Sequence, residues 1–560
     1  MMISSTSRGL ALLAFGTIVG CSSSDSVQGM PTLDGGADSG TDADPTIQRG
    51  TRIRLDSGEI EGETDGATRR FRGIPFAAAP VGALRWKAPQ PVKAWEGVRT
   101  TTAYSGKCPQ LSNLLGGASD EEDCLYLNVW TPEPAPERRL PVMVWLHGGA
   151  NETGSASDEI PLGIGGHIFD GRQLAENQRA VVVTTNYRLG VLGFFSHPAL
   201  DGEDPRGTSG NQGLLDQRMA FEWVRRNIAA FGGDPDNVTI FGESAGSLDV
   251  CLHMVSPGSR GLFHRGISQS GGCTTFIRSR GVAEAESAKF AAAMGCTDTG
   301  GVLDCLRALP ISPLLTEAPL EGGDPKLPGG KPYQGGIETW TFEPTIDGDV
   351  LPDQPRSLVA SGNFAKAPYI VGSNTDEGTI FHVTEPPVKT EAEYVAALQR
   401  RFGDDSAAIA ARYPVSDFPS PQEALMRVTG DTSLVCGTYD TARRFAGAGV
   451  PVYLYNFDRP IPISSVAFLR ATHGAEIAYI FGTAPADFPP EDAKLGLMMQ
   501  GYWGRHARTG DPNGGGAPAW VAWQRHADLR LNFNLPPTTI QDFRREYCDF
   551  WAIRYDAQFK

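Results

Sequence analysis

The pentapeptide Gly242-Glu243-Ser244-Ala245-Gly246 constrains this chain more than any other stretch. It follows the apolar run Val238-Thr239-Ile240-Phe241. It precedes a segment whose Leu248, Cys251, Leu252 and Val255 recur at helical spacing, closed by Ser256-Pro257-Gly258. A strand, then G-x-S-x-G, then a helix demands a turn so sharp that a side chain at either flanking glycine would clash. Such a turn holds the serine at the top of a sheet with its Oγ exposed. It also sets that oxygen at a helix N-terminus, whose partial positive charge favours developing anions. The bare motif recurs by chance in a chain with 67 glycines, so the flanking strand and helix are what give it weight.

Other short apolar runs read as buried strands. They are Val142-Met143-Val144-Trp145-Leu146, Val181-Val182-Val183-Thr184, Tyr369-Ile370-Val371 and Val452-Tyr453-Leu454-Tyr455. Helical patterns lie between them, as over 214–231. The alternation predicts an α/β fold with a mostly parallel sheet, whose sites gather at the carboxyl ends of the strands. Four of those ends carry chemistry: His147-Gly148-Gly149-Ala150, then Ser244, then Asp376-Glu377, then, after a longer loop, Thr472-His473-Gly474-Ala475-Glu476. Serine, acid, histidine is the chain order that the α/β-hydrolase arrangement requires.

The residue types fit nucleophilic catalysis. Serine attacks only when a base takes its proton, and histidine can take that proton and return it to a leaving alcohol. An acid fixes the imidazole tautomer and stabilises the imidazolium. A Gly-rich turn and the amide after the serine can aim N–H groups at a tetrahedral oxyanion. At this level Asp376 and Glu377 compete for the acid. His382, His506 and His526 also follow it in the chain and compete with His473 for the base.

A formal charge of −16 without a Lys/Arg cluster excludes nucleic acid as a partner. Beyond residue 20 no apolar run reaches membrane-spanning length. Residues 1–20, with Arg8 ahead of the apolar stretch 9–20, read as an export signal. The ending Ile18-Val19-Gly20-Cys21 resembles a bacterial lipobox, which implies a lipid on Cys21 as the mature N-terminus and a membrane anchor there. Residues 22–46 hold five Asp, no Lys or Arg and almost no large apolar side chain, and so form a disordered tether. Their Asp spacing lacks the order of an EF-hand, and no metal is expected. The catalytic domain is assigned to 47–560.

Setting Cys21 aside leaves eight cysteines in an exported chain, an even number suited to an oxidising compartment. Cys108/Cys124 and Cys296/Cys305 are close enough to close small loops, and Cys436/Cys548 would close a long one. Cys251 and Cys273 remain as a fourth pair or as buried free thiols.

Glu122-Asp123-Cys124-Leu125-Tyr126-Leu127-Asn128-Val129 and Phe241-Gly242-Glu243-Ser244-Ala245-Gly246 resemble the two signatures of the type-B carboxylesterase family. Phe71-Arg72-Gly73-Ile74-Pro75-Phe76, Asn211-Gln212-Gly213-Leu214-Leu215-Asp216-Gln217 and Gly232-Gly233-Asp234-Pro235 resemble it too, over about residues 50–552. The resemblance implies an α/β-hydrolase fold with Ser244 as nucleophile, Glu377 as acid and His473 as base. It implies backbone donors at Gly149, Ala150 and Ala245, and bridges Cys108–Cys124, Cys296–Cys305 and Cys436–Cys548. It gives Ser270 a supporting position near the acid and leaves Glu243 to tune His473. Two departures stand out. Gly148-Gly149-Ala150-Asn151 replaces three glycines and an aromatic, so Asn151 is expected to polarise the pocket. The loop between Cys108 and Cys124 has no tryptophan, which argues against a choline ester.

The leading function is hydrolysis of a small-molecule carboxylic ester through an acyl-enzyme, with no cofactor. A lipase for long-chain esters would favour a long apolar lid, whereas 311–342 is rich in Gly, Pro and charge. A catalytically silent binding module would be expected to lose a triad member, and all three are present.

Overall fold

The computed structural model describes residues 44, 46–112, 117–159, 166–297, 301–316, 342–485 and 488–559. The predicted signal segment, Cys21, the tether up to residue 43 and 317–341 of the predicted site cover lie outside them.

The main sheet has eleven strands among the described residues. The first six are β1 (Glu63–Thr64), β2 (Thr68–Pro75), β3 (Tyr126–Pro132), β4 (Leu140–Leu146), β5 (Val181–Thr185) and β6 (Gly233–Glu243). The rest are β7 (Arg265–Gln269), β8 (Tyr369–Asn374), β9 (Val452–Phe457), β10 (Leu529–Phe533) and β11 (Thr538–Gln541). Across the sheet they run β11-β10-β9-β8-β7-β6-β4-β5-β3-β2-β1. Every pair from β10 to β5 is parallel, and the outer pairs are antiparallel. This is the α/β-hydrolase fold.

Side chains alternate across each strand, which sorts the core into two layers. Val142, Val144 and Leu146 join Val181, Val183, Val238, Ile240 and Val371 beneath helices Gln212–Asn227, Ala245–Val255 and Cys436–Gly447. Met143 and Trp145 join Val182, Phe241, Ile267 and Ile370 beneath Arg172–Gln178 and Pro490–Thr509. Cover on both faces is why these strands read as continuous apolar runs. The predicted helix over 214–231 is Gln212–Asn227 plus a 3-10 turn, Ile228–Phe231, stopped by Gly232 at φ +88°. β7 has a single large aliphatic residue, Ile267, and gave no apolar run to find.

From β4 the chain turns to β5 on one side, and from β6 it steps to β7 on the other. The gap beyond the carboxyl ends of β4 and β6 is therefore the switch point of the sheet, where ligands collect. There Leu146 pairs with Gly242, so the turn after β4 and the turn after β6 emerge side by side.

Four disulfides form: Cys108–Cys124, Cys251–Cys273, Cys296–Cys305 and Cys436–Cys548. The second, left open by sequence, ties helix Ala245–Val255 to the loop after β7. Such a set belongs to a chain that matures in an oxidising compartment. Two of the sequence signatures prove to be polar stitches, the first half-buried and the second fully buried. Glu122 takes a two-pronged bond from Arg85, at 2.7 Å on each oxygen. Asp216 takes one from Arg188, also at 2.7 Å on each.

Candidate active site

Ser244 stands at φ 58°, ψ −121°, a conformation that side-chain-bearing residues adopt only under strain. Packing forces it. A Cβ at Gly246 would lie 2.1 Å from the Leu146 carbonyl oxygen, and one at Gly242 would lie 2.5 Å from the Gly246 backbone. The Ser244 N–H donates to the Gln269 carbonyl at 2.9 Å, which pins the turn to β7. Ser244 is the N-cap of helix Ala245–Val255 but makes no capping bond with its side chain. Its Oγ is thus left for chemistry.

The acid turn follows β8. The Asn374 N–H donates to Glu377 Oε1 at 2.7 Å, and Glu377 Oε2 lies 2.7 Å from His473 Nδ1. Asp376 points elsewhere, 3.8 Å from Arg470. The rival histidines are also accounted for. His382 bonds Glu385 and Thr429, His506 is buried against the Gly266 carbonyl, and His526 is exposed in a turn. Nε2 of His473 lies 3.2 Å from Glu243 Oε1, and that oxygen has no hydrogen-bond partner among the described residues. An imidazole held at Nδ1 by a buried carboxylate keeps Nε2 for proton exchange.

Glu476 also belongs here, although its neighbourhood to His473 in the sequence suggested no role. It is fully buried and accepts from Asn374 Nδ2 at 2.6 Å and from Gln269 Nε2 at 3.1 Å. Gln269 in turn accepts from Trp503 Nε1 at 3.0 Å. Burial pushes the Glu243 carboxyl up to about 8, with help from Glu476 and Glu377. Burial works against a charged His473, but Glu243 and Glu377 outweigh it and lift the imidazole to about 9. Ser270 stands at φ 57° with its Oγ buried and without a hydrogen-bond partner among the described residues. It makes no hydrogen bond to Glu377, which is braced by the Asn374 amide instead.

The turn after β4 bends through left-handed conformations at Gly149 (φ 107°), Ala150 (58°) and Asn151 (59°). The N–H groups of Glu152 and Thr153 close it onto the Gly149 carbonyl, each at 3.0 Å. The Tyr187 hydroxyl donates to the His147 carbonyl at 2.7 Å while the two rings stack 4.3 Å apart. The N–H groups of Gly149, Ala150 and Ala245 donate to no other described residue. The expectation for Asn151 fails. It is 1 % exposed, and its amide turns into the protein to donate to Asp249 Oδ1 at 3.2 Å. The interior there offers a carboxylate, which a polar side chain takes in preference to the pocket.

The fold and the order of these residues along it define a hydrolase of the α/β-hydrolase class. The sequence profile of the carboxylesterase family matches residues 49–551, so the chain belongs to that family and is a carboxylic-ester hydrolase. It is 36 % identical over 504 residues to a fumonisin B1 esterase of Sphingopyxis macrogoltabida, covering 87 % of this chain and 86 % of that one. It is 34 % identical to a para-nitrobenzyl esterase of Bacillus subtilis (strain 168), covering 81 % and 89 %. To an acetylcholinesterase of Bungarus fasciatus it is 32 % identical, covering 89 % and 86 %.

Proposed function

We propose that this esterase works through Ser244, His473 and Glu377 by way of an acyl-enzyme. His473 Nε2 takes the Ser244 proton as Oγ bonds to the ester carbonyl carbon. The oxyanion so formed accepts from the N–H groups of Gly149, Ala150 and Ala245, each such donor being worth about 2.7–4 kcal/mol. The C–O bond to the alcohol then breaks, and the alcohol leaves with the proton from His473. Water, deprotonated by the same imidazole, releases the acid and restores Ser244. The observation that carries the reading is the 2.7 Å contact of Glu377 with His473 Nδ1. It holds the tautomer in which Nε2 is the base. Glu243, at 3.2 Å from Nε2, raises the proton affinity of that base.

The substrate is a small-molecule ester. The missing tryptophan between Cys108 and Cys124 argues against a choline ester, and the Gly, Pro and charge of 311–342 argue against aggregated lipid. Hydrolysis of p-nitrophenyl acetate, butyrate and palmitate by the full chain and by Ser244→Ala tests both points. Short esters are turned over and the variant is silent. Turnover by Ser244→Ala refutes the mechanism, and a rate that jumps above the palmitate micelle threshold favours a lipase.

Residues 1–20 direct export, Cys21 carries lipid, and 22–46 tether the domain to a bacterial membrane, periplasmic or at the cell surface. Mass spectrometry of the mature N-terminus tests this, and an unmodified residue there refutes it.

A further inference from the structure

We propose that Asp249 is a positioning residue which, through Asn151, sets the spacing between the two halves of the oxyanion donor set. The proposal rests on the reading of Gly149, Ala150 and Ala245 given above. Those donors come from separate stretches of chain. The turn after β4 supplies the first two, and the N-terminus of helix Ala245–Val255 supplies the third. The bond from Asn151 Nδ2 to Asp249 Oδ1 joins the turn to that helix across 98 residues of sequence.

The far side of Asp249 is anchored. Its Oδ2 accepts from Gln217 Nε2 at 2.6 Å, on helix Gln212–Asn227. Gln217 Oε1 meets His253 Nε2 at 2.8 Å, and His253 Nδ1 meets Ser259 Oγ at 2.8 Å. All five residues are 0–1 % exposed. The relay therefore moves as one body with the two helices, and Asn151 is its only link to the turn among the described hydrogen bonds.

Two unfavourable features meet in this one bond. A carboxylate is buried with amide donors as its hydrogen-bond partners and no cation paired to it among the described residues, an expensive arrangement. Asn151 also holds a left-handed backbone that glycine would adopt with less strain, and its Oδ1 has no hydrogen-bond partner among the described residues. Simple packing would be served by an apolar pair. What the polar pair adds is a directional, fixed-length tie between the donor turn and the nucleophile helix.

Oxyanion donors act on a charge that exists only in the transition state, so a displaced turn lowers kcat and leaves KM nearly unchanged. Displacement by about 1 Å costs about 100-fold. Asn151→Gly removes the tie while relieving backbone strain, so it keeps the fold. In the full chain acting on p-nitrophenyl butyrate, kcat should fall about 10–100-fold with KM within about twofold. Affinity for a trifluoromethyl ketone, which forms an oxyanion on Ser244, should fall in parallel. Asn151→Asp sets two carboxylates face to face and should be worse. Adding Asp249→Asn to it restores an amide–carboxylate bond and should recover most of the loss. A kcat for Asn151→Gly within about threefold of wild type overturns the proposal, as does a loss of kcat without a matching loss of ketone affinity. Turnover by Ser244→Ala would instead remove the underlying mechanism.

Discussion

Loss of the Cys251–Cys273 bridge should destabilise the protein without silencing it. Both cysteines are fully buried, and 22 residues separate them. In the chain-entropy account a loop of that length restricts the unfolded state by about 11 cal/mol/K, or about 3.4 kcal/mol at 25 °C. The same arithmetic gives about 2.6 kcal/mol for the short Cys296–Cys305 loop and about 4.8 kcal/mol for Cys436–Cys548. A domain of this size unfolds with an entropy of about 1.1 kcal/mol/K, so Cys251→Ala with Cys273→Ala should lower Tm by about 3 °C. The local geometry has other supports. Ser247 Oγ donates to the Gly271 carbonyl at 3.0 Å, and Ser268 Oγ donates to the Ser247 carbonyl at 3.0 Å. Activity per folded molecule should therefore stay within a few-fold of wild type. Calorimetry at one fixed scan rate on the three double-alanine variants, paired with active-site titration, is the assay. A larger Tm loss from the Cys296–Cys305 variant than from the Cys251–Cys273 variant would refute the loop-entropy reasoning.

Three further outcomes are expected. Glu377→Gln should cut kcat by about 10⁴-fold, whereas Asp376→Asn should cost no more than a few-fold, read from steady-state kinetics. In the proposed mechanism His473 is the base and must be neutral to act, and Glu243 and Glu377 hold its proton, so the acid limb of kcat/KM should lie above the ordinary histidine range. Glu243→Gln should move that limb to lower pH; an unmoved or rising limb contradicts the electrostatic reading. Gly246→Ala, which drives a Cβ to 2.1 Å from the Leu146 carbonyl oxygen, should yield insoluble or inactive protein by expression and turnover assay.

The central strands were legible because burial on both faces leaves an unbroken apolar run, and the elbow because no other residue types fit its turn. β7 was not legible: Arg265-Gly266-Ile267-Ser268-Gln269 forms a strand because its neighbours pair with it on both sides. The choice between Asp376 and Glu377 depends on side-chain direction in a turn braced by the Asn374 amide, which composition does not encode. Asn151 was misread for the same reason: its partner, Asp249, lies 98 residues away. Glu476 stood three residues from His473 in plain view, yet its part in the network depends on Asn374 and Gln269 reaching its turn from the ends of two neighbouring strands.

The two margins of the sheet bear on how many copies can share a confined space. A free strand edge offers unpaired N–H and C=O groups that can recruit a second chain. Here one margin is β1, only two residues long, with Glu63 paired to Arg70. The other is β11, Thr538–Gln541, whose polar side chains are mostly exposed. Both are short and well hydrated, so among the described residues the sheet ends at eleven strands with neither margin offering a long apolar edge to a second copy.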